Sequence, residues 1–128
     1  MRLLLDTHAL LWWWTDDARL SRRAKAAMGR ASSEVFVSVV SAWEIATKHR
    51  LGKLPGRPDV MQRFAELIAA DGFTPLPVNL RHALHAGSYT QNHRDPFDRM
   101  LCAQSELESM ALVTTDAALA QFPCETLW

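Results

Sequence analysis

This sequence carries no surplus charge of either sign, because 14 Lys and Arg offset 14 Asp and Glu among 128 residues. No global positive field draws such a chain onto nucleic acid, so any binding of that kind has to be local. Cysteine is scarce. Cys102 and Cys124 lie apart in sequence and form no disulfide framework, and a zinc site would want more ligands. Both are expected to be reduced, buried thiols, Cys102 falling in an apolar helical stretch. Long hydrophobic runs are missing too: Leu3 to Leu5 and Ala9 to Trp14 are interrupted by Asp6 and His8 and are too short to span a bilayer. The expectation is a soluble, cytoplasmic protein with no membrane partner. Repeats, linkers and low-complexity segments are absent as well, and residues 1–128 are expected to form one domain, long enough to bury roughly two-thirds of its unfolded surface.

What is present centres on His93 to Ala103, His-Arg-Asp-Pro-Phe-Asp-Arg-Met-Leu-Cys-Ala. Pro96 suits the first turn of a helix, and Phe97, Met100, Leu101 and Leu107 form an inward stripe, so the spacing predicts a helix to about Ser109. Asp95 and Asp98 stand at its mouth. The helix dipole favours an anion there, and Asp95 alone is explained as an N-cap. Capping uses only one acid, and a second one three residues on invites a different partner, such as a cation.

Strand and helix alternate along the chain. Leu3-Leu4-Leu5 is a short, wholly apolar run of the kind buried on both faces of a parallel sheet, and a helix follows from Thr7 through Trp14. Leu20 to Met28 is a helix with Ser21 as its cap and Gly29 at its end. Val35 to Val40 is the clearest strand. Ser41-Ala42-Trp43-Glu44 after it has capping-box spacing, which accounts for Glu44 without chemistry. Gly52 ends that helix, Lys53 to Pro58 is a turn-rich connection, and Val60 to Ala70 is amphipathic up to Gly72. Phe73 to Val78 holds two prolines and can be at most an edge strand. Asn79 caps a helix to about Ala86, Ala111 to Val113 is a third buried strand, Ala117 to Gln121 a short helix, and Glu125 to Trp128 adds a last strand. Such alternation predicts an α/β fold, a three-layer α/β/α sandwich around a mainly parallel sheet with right-handed crossovers.

In that sheet Asp6, Glu44 and Asp116 each follow a strand at its carboxyl end, the edge where open α/β sheets bind ligands. Each acid has a bland explanation as a cap. Together with Asp95 or Asp98 they would repel and raise one another's pKa unless a cation compensates, and no lysine occurs after Lys53. A hard divalent ion, Mg²⁺ or Mn²⁺, suits carboxylate oxygens and leaves positions for a phosphate, so the chemistry suggested is hydrolysis of a phosphodiester. Basic residues cluster locally at Arg19, Arg22, Arg23, Lys25 and Arg30 and at Lys48, His49, Arg50, Lys53 and Arg57. They are candidates for phosphate contacts, although a solvated helix face also explains such runs.

The residues Leu3-Leu4-Leu5-Asp6-Thr7-His8-Ala9-Leu10, Ser41-Ala42-Trp43-Glu44-Ile45, His93 to Leu101 and Val113-Thr114-Thr115-Asp116, in this order, resemble a PIN domain of the VapC toxin class, the ribonuclease half of a type II toxin–antitoxin pair. The resemblance implies an Mg²⁺- or Mn²⁺-dependent endoribonuclease whose metal-binding, catalytic acids map onto Asp6, Glu44, Asp98 and Asp116. Asp98-Arg99-Met100-Leu101-Cys102-Ala103 fits the family's Asp-x-x-Leu/Ile-x-Ala frame for its third acid. Asp95 does not, and is expected as an additional catalytic acid that orients His93 or Arg94 or joins the metal shell through water. Thr7, Thr114, Thr115, Arg94 and Lys48 are the expected substrate contacts. The partners implied are RNA, a cognate antitoxin and a second copy of the chain in a homodimer, with the apolar surplus of Trp12, Trp13, Trp14, Leu20, Trp43, Leu51 and Leu54 available to cover.

Other classes fit less well. A phosphorelay receiver would need an acidic pair beside its first strand and a lysine late in the chain, and both are missing. A haloacid-dehalogenase-like phosphatase would show Asp-x-Asp where this chain has Asp6-Thr7-His8. A catalytically silent PIN module would not need every acid, whereas a stand-alone RNA-processing nuclease would keep the acids and lack the inhibitor.

Overall fold

The structure, a computed structural model, describes residues 1–54 and 59–128. Arg57 of the second basic segment and the end of the expected turn at Lys53 to Pro58 lie outside the described residues. Five strands form one parallel sheet in the order β3-β2-β1-β4-β5: β1 Arg2–Leu5, β2 Glu34–Ser38, β3 Thr74–Leu76, β4 Ala111–Val113 and β5 Thr126–Leu127. Leu3, Leu4 and Leu5 occupy the centre and are fully buried, because β1 has a neighbour on each side and a core on each face. Their alternation separates the two cores. Leu3 and Leu5 join Leu10, Ala24, Met28, Ile45 and Ile68 on one face; Leu4 joins Leu101, Leu112, Leu119 and Phe122 on the other. This is the three-layer α/β/α arrangement expected from the alternation.

The helices α1 Thr7–Trp14, α2 Arg22–Gly29, α3 Val39–Arg50, α4 Phe64–Ala70, α5 Leu80–Ser88 and α6 Pro96–Leu107 complete the layers. Their starts are set by short polar side chains that satisfy free backbone N–H groups: Asp6, Ser21, Asn79 and Asp95 cap where expected. Four ends are followed by a left-handed residue, Asp16 after α1, Gly52 after α3, Gly72 after α4 and Ser109 after α6; Gly52 and Gly72, at φ +69° and +72°, supply it without the penalty a Cβ brings.

The start of α3 departs from expectation. The strand stops at Ser38, whose hydroxyl accepts from Val40 N at 3.0 Å, so Val39 and Val40 belong to the helix although both are β-branched. Ser41 and Glu44 therefore sit inside α3 and form no capping box, because a cap three residues earlier has already satisfied the helix start. The consequence is functional: Glu44 is left free for other partners.

The tryptophan surplus also resolves differently. Trp12, Trp13 and Trp14 fan out and are half-buried, edge-on to Trp128 at 5.8 Å, tilted on Phe73 at 5.8 Å and perpendicular to Phe64 at 5.4 Å respectively. Leu20 is buried and Leu54 half-buried. Of the expected apolar surface only Trp43 and Leu51, 62% and 51% exposed, remain open, while Leu80 and Leu84 on α5 are open at 75% and 66%. Both cysteines are free, Cys102 buried and Cys124 half-buried, and both belong to the second core, where the Cys124 thiol donates to Leu119 O at 3.9 Å.

Candidate active site

Pairing of Leu5 with Val37 on one side and Val113 on the other brings Asp6, Ser38 and Thr114 level at the carboxyl edge of the sheet. Asp6 N still donates to Val113 O at 3.1 Å, which ties the acid to the strand it leaves. Its Oδ1 accepts from Ala9 N at 2.7 Å, and the Thr114 hydroxyl lies beside its carboxylate. Asp6 is only 6% exposed. Burial raises its pKa above the usual 3.8; the hydrogen bonds from Thr114 and Ala9 and the nearby His8 pull the other way, and Glu44 adds a like charge.

Glu44 comes to the same edge from the second turn of α3 and is buried. Thr7 Oγ1 donates to its Oε1 at 2.6 Å and lies 3.0 Å from Ser41 Oγ, while Lys48 Nζ, one turn on, sits 3.1 Å from Oε2. Lys48 thus compensates one carboxylate. Asp98 arrives in the first turn of α6, with Asp95 Oδ1 capping Phe97 N and Asp98 N at 2.9 and 3.3 Å. Its Oδ2 is hydrogen-bonded to His93 Nε2 at 2.9 Å. Burial raises the Asp98 pKa, with Asp95 and Glu44 adding to the effect and His93 opposing it. An edge-on stack of Trp43 on Phe97, 4.9 Å between centroids, pins α3 to α6 one residue from each acid.

Asp116 is exposed and caps the 3-10 turn Ala117–Gln121 through Ala118 N at 2.9 Å. Thr114 stands between it and Asp6: Thr114 Oγ1 accepts from Asp116 N at 3.1 Å, and the same side chain lies beside the Asp6 carboxylate. Thr115, Arg94 and Asp95 are exposed at the rim. Asp95 was expected to orient His93 or Arg94 or to join the metal shell through water; its Oδ1 caps α6, and the His93 ring meets Asp98.

Sequence reasoning missed Arg99. Its guanidinium donates to the carbonyls of Ala86, Gln91 and His93 at 3.0 Å each, to Tyr89 at 2.7 Å and to Gly87 at 3.5 Å, holding the loop that carries His93 onto Asp98. A loop with so few side-chain anchors of its own depends on that fork. Arg99→Ala should therefore cost about 2–4 kcal/mol, read from urea unfolding, since several charge-assisted bonds are lost together. A loss under about 0.5 kcal/mol would show that the loop holds itself.

Among the described residues no three His, Cys, Asp or Glu side chains are gathered tightly enough to chelate an ion as they stand. Each carboxylate is drawn to a local partner: Ala9 N, Thr7 with Lys48, His93 or Ala118 N. The donor set nevertheless suits a hard divalent ion. It consists of carboxylate oxygens at one edge, and two of its members, Asp6 and Asp98, carry the cost of burial plus a neighbouring negative charge that a cation would relieve.

A family pattern described as "PIN domain" matches residues 3–123. The chain belongs to the PIN-domain family. Ribonuclease VapC22 of Mycobacterium tuberculosis is similar at 30% identity over 120 residues, 91% of this chain and 88% of that protein. Among solved structures, VapBC2 of Rickettsia felis bound to a DNA fragment from its promoter shares the fold at a TM-score of 0.73 and 10% identity, covering 100% of this chain and 98% of that one. DNA-bound VapBC of Salmonella typhimurium does so at 0.69 and 15%, with 100% and 97% covered. A toxin–antitoxin complex from Klebsiella pneumoniae does so at 0.64 and 18%, with 94% and 92% covered. These PIN-fold neighbours match the observed sheet; the acids are argued from this chain's own geometry.

Proposed function

We propose that this PIN protein is a metal-dependent endoribonuclease acting as the toxin of a toxin–antitoxin pair, with residues 1–128 as a single PIN domain in the cytoplasm. The observation that carries the reading is that Asp6, directly after β1, and Glu44 of α3 are buried at the carboxyl edge of the sheet, with Asp98 at the start of α6 beside them, a set not drawn together tightly enough to chelate an ion without one present. In this reading Asp6 and Asp98 are the most direct ligands of Mg²⁺ or Mn²⁺, and Glu44 and Asp116 complete the acid set. A divalent ion bound there supplies neutralisation of the scissile phosphate's charge and acidifies an attacking water. Thr7 fixes the Glu44 carboxylate, Thr114 holds Asp6 and Asp116 in register, and His93 orients Asp98. Lys48, Arg94 and Thr115 belong to the proposal as substrate contacts, Arg94 and Thr115 being exposed at the rim.

Water as the nucleophile fixes the product ends. Cleaved RNA should carry 5′-phosphate and 3′-hydroxyl termini, checked by end-labelling and by mass spectrometry of the fragments. A 2′,3′-cyclic phosphate would mean that the RNA's own 2′-hydroxyl attacks and that the acid edge plays another part.

An antitoxin partner and a homodimer belong to the same proposal. The exposed side chains of Trp43, Leu51, Leu80 and Leu84 leave apolar surface for such contacts. Solved PIN-fold neighbours from Rickettsia felis and Salmonella typhimurium are VapBC assemblies. Co-expression with the neighbouring open reading frame, copurification and an RNase assay test this: a bound, inhibiting partner is expected, and an active, unaccompanied monomer would favour a stand-alone RNA-processing nuclease.

A further inference from the structure

A cleft of about 320 Å³ opens beside the acid edge, between the outer face of α1, the loop after it and the end of α3. It is contiguous with the proposed active site through two of its own lining residues. His8 follows Asp6 and Thr7 directly, and Lys48 reaches out of the cleft to Glu44 at 3.1 Å. The charged side chains lining it are Asp17, Arg19, Lys48 and Lys53; Arg19 is paired with Asp17 at 2.8 Å and Lys48 with Glu44 at 3.1 Å, which leaves Lys53. Lys53 is exposed and makes no ion pair among the described residues. The cleft therefore favours an anionic ligand.

Leu11, Trp12 and Leu54 form its apolar part, with His8 and Thr15 beside them. The Arg19 guanidinium lies over the Trp12 ring at 4.9 Å, and the His8 ring is tilted against the same indole at 5.6 Å. A planar cation on an aromatic face is a surface on which nucleobases stack. An anion that also has a planar, π-faced part, placed one step from a phosphodiester-cleaving edge, is a nucleotide unit of a single strand. We infer that this cleft is a subsite for the nucleotide flanking the scissile phosphate, its base stacking on the Trp12–Arg19 pair and its phosphate held by Lys53. The inference rests on the ribonuclease reading and narrows it: the strand runs over α1 and the end of α3, and the exposed α2 cations Arg22, Arg23 and Lys25, which do not line the cleft, are spared.

The test is equilibrium binding of the full chain to a labelled single-stranded 12-mer oligoribonucleotide in EDTA at fixed salt, alongside cleavage of the same strand by the wild type in Mn²⁺. Lys53→Glu and Arg19→Gln should each weaken binding about tenfold or more, and Lys53→Glu, which removes the phosphate contact, should also flatten its salt dependence by about one ion. An abasic strand of equal length should bind at least about fivefold more weakly, the contribution of base stacking. Arg23→Glu, the same kind of charge change outside the cleft, should stay within about twofold. If both cleft variants bind like the wild type while Arg23→Glu weakens, the strand lies elsewhere and the inference is wrong. Cleft variants that bind RNA normally but lose a copurifying protein would overturn it in favour of a protein-docking groove. A wild type that cleaves no RNA in Mn²⁺ refutes the ribonuclease reading itself, a result separate from either of these.

Discussion

Asp98→Asn should lower RNA cleavage about a thousandfold while the fold melts where the wild type does or above. Asparagine keeps the volume, keeps an acceptor for His93 and leaves the first turn of α6 intact, so only the negative charge is lost. That charge is expensive in the folded protein: burial raises the Asp98 pKa, and Asp95 and Glu44 add to it. A group held at such cost without benefit to the fold has a use that repays it only when a cation or a transition state is present. Removing one such electrostatic group from a water-poor site typically costs about 4 kcal/mol of transition-state stabilisation, which is a factor of about a thousand. Asp95→Asn makes the useful contrast. Its side chain is exposed and serves as the cap for Phe97 N and Asp98 N, which asparagine can also do, so less than about tenfold should be lost. Single-turnover cleavage of a defined RNA, with a circular-dichroism melt of each variant, checks both. Retention of more than about a tenth of wild-type activity by Asp98→Asn would remove it from the catalytic set.

The sheet was readable in advance because its signals are local and redundant. Leu3 to Leu5 reads as a strand buried on both faces, the prolines confine β3 to an edge, and Asp6 sits directly after the strand it follows. The boundary between β2 and α3 was not readable, since Val39 and Val40 favour a strand by side chain and only the Ser38 cap decides for helix. One misplaced cap was enough to hide the environment of Glu44. The Arg99 fork escaped for a different reason: its partners are backbone carbonyls up to 13 residues away, and backbone groups leave no mark on the sequence. The tryptophans mislead by composition, because a count of large apolar groups does not say that Trp12, Trp13 and Trp14 each find an aromatic neighbour from a distant segment.

Asp6→Asn should stabilise the metal-free protein at neutral pH. Asp6 is buried, and its pKa in the folded chain lies above the usual 3.8 because burial outweighs the hydrogen bonds from Thr114 and Ala9 N and the field of His8, with Glu44 adding repulsion. Between 3.8 and the raised value the folded chain holds a proton that the unfolded chain has released, so stability falls as pH rises through that window and stays lowered above it. Each unit of such a shift is about 1.4 kcal/mol. Asparagine removes the buried charge and can still cap Ala9 N, so the variant should melt several degrees above the wild type at pH 7 in EDTA, about 3–5 °C for each kcal/mol in a chain of this size. The gap should close as pH falls below 3.8, where Asp6 is protonated in both states. Divalent metal should act in the opposite sense. An ion that binds only the folded wild type at a hundred times its dissociation constant adds about 2.7 kcal/mol, and the variant, short of one ligand, should gain much less. Thermal melts across pH with and without Mn²⁺ separate the two contributions. If Asp6→Asn melts below the wild type at pH 7 without metal, the carboxylate is needed by the fold as the charged cap of α1, and its place among the metal ligands loses its physical support.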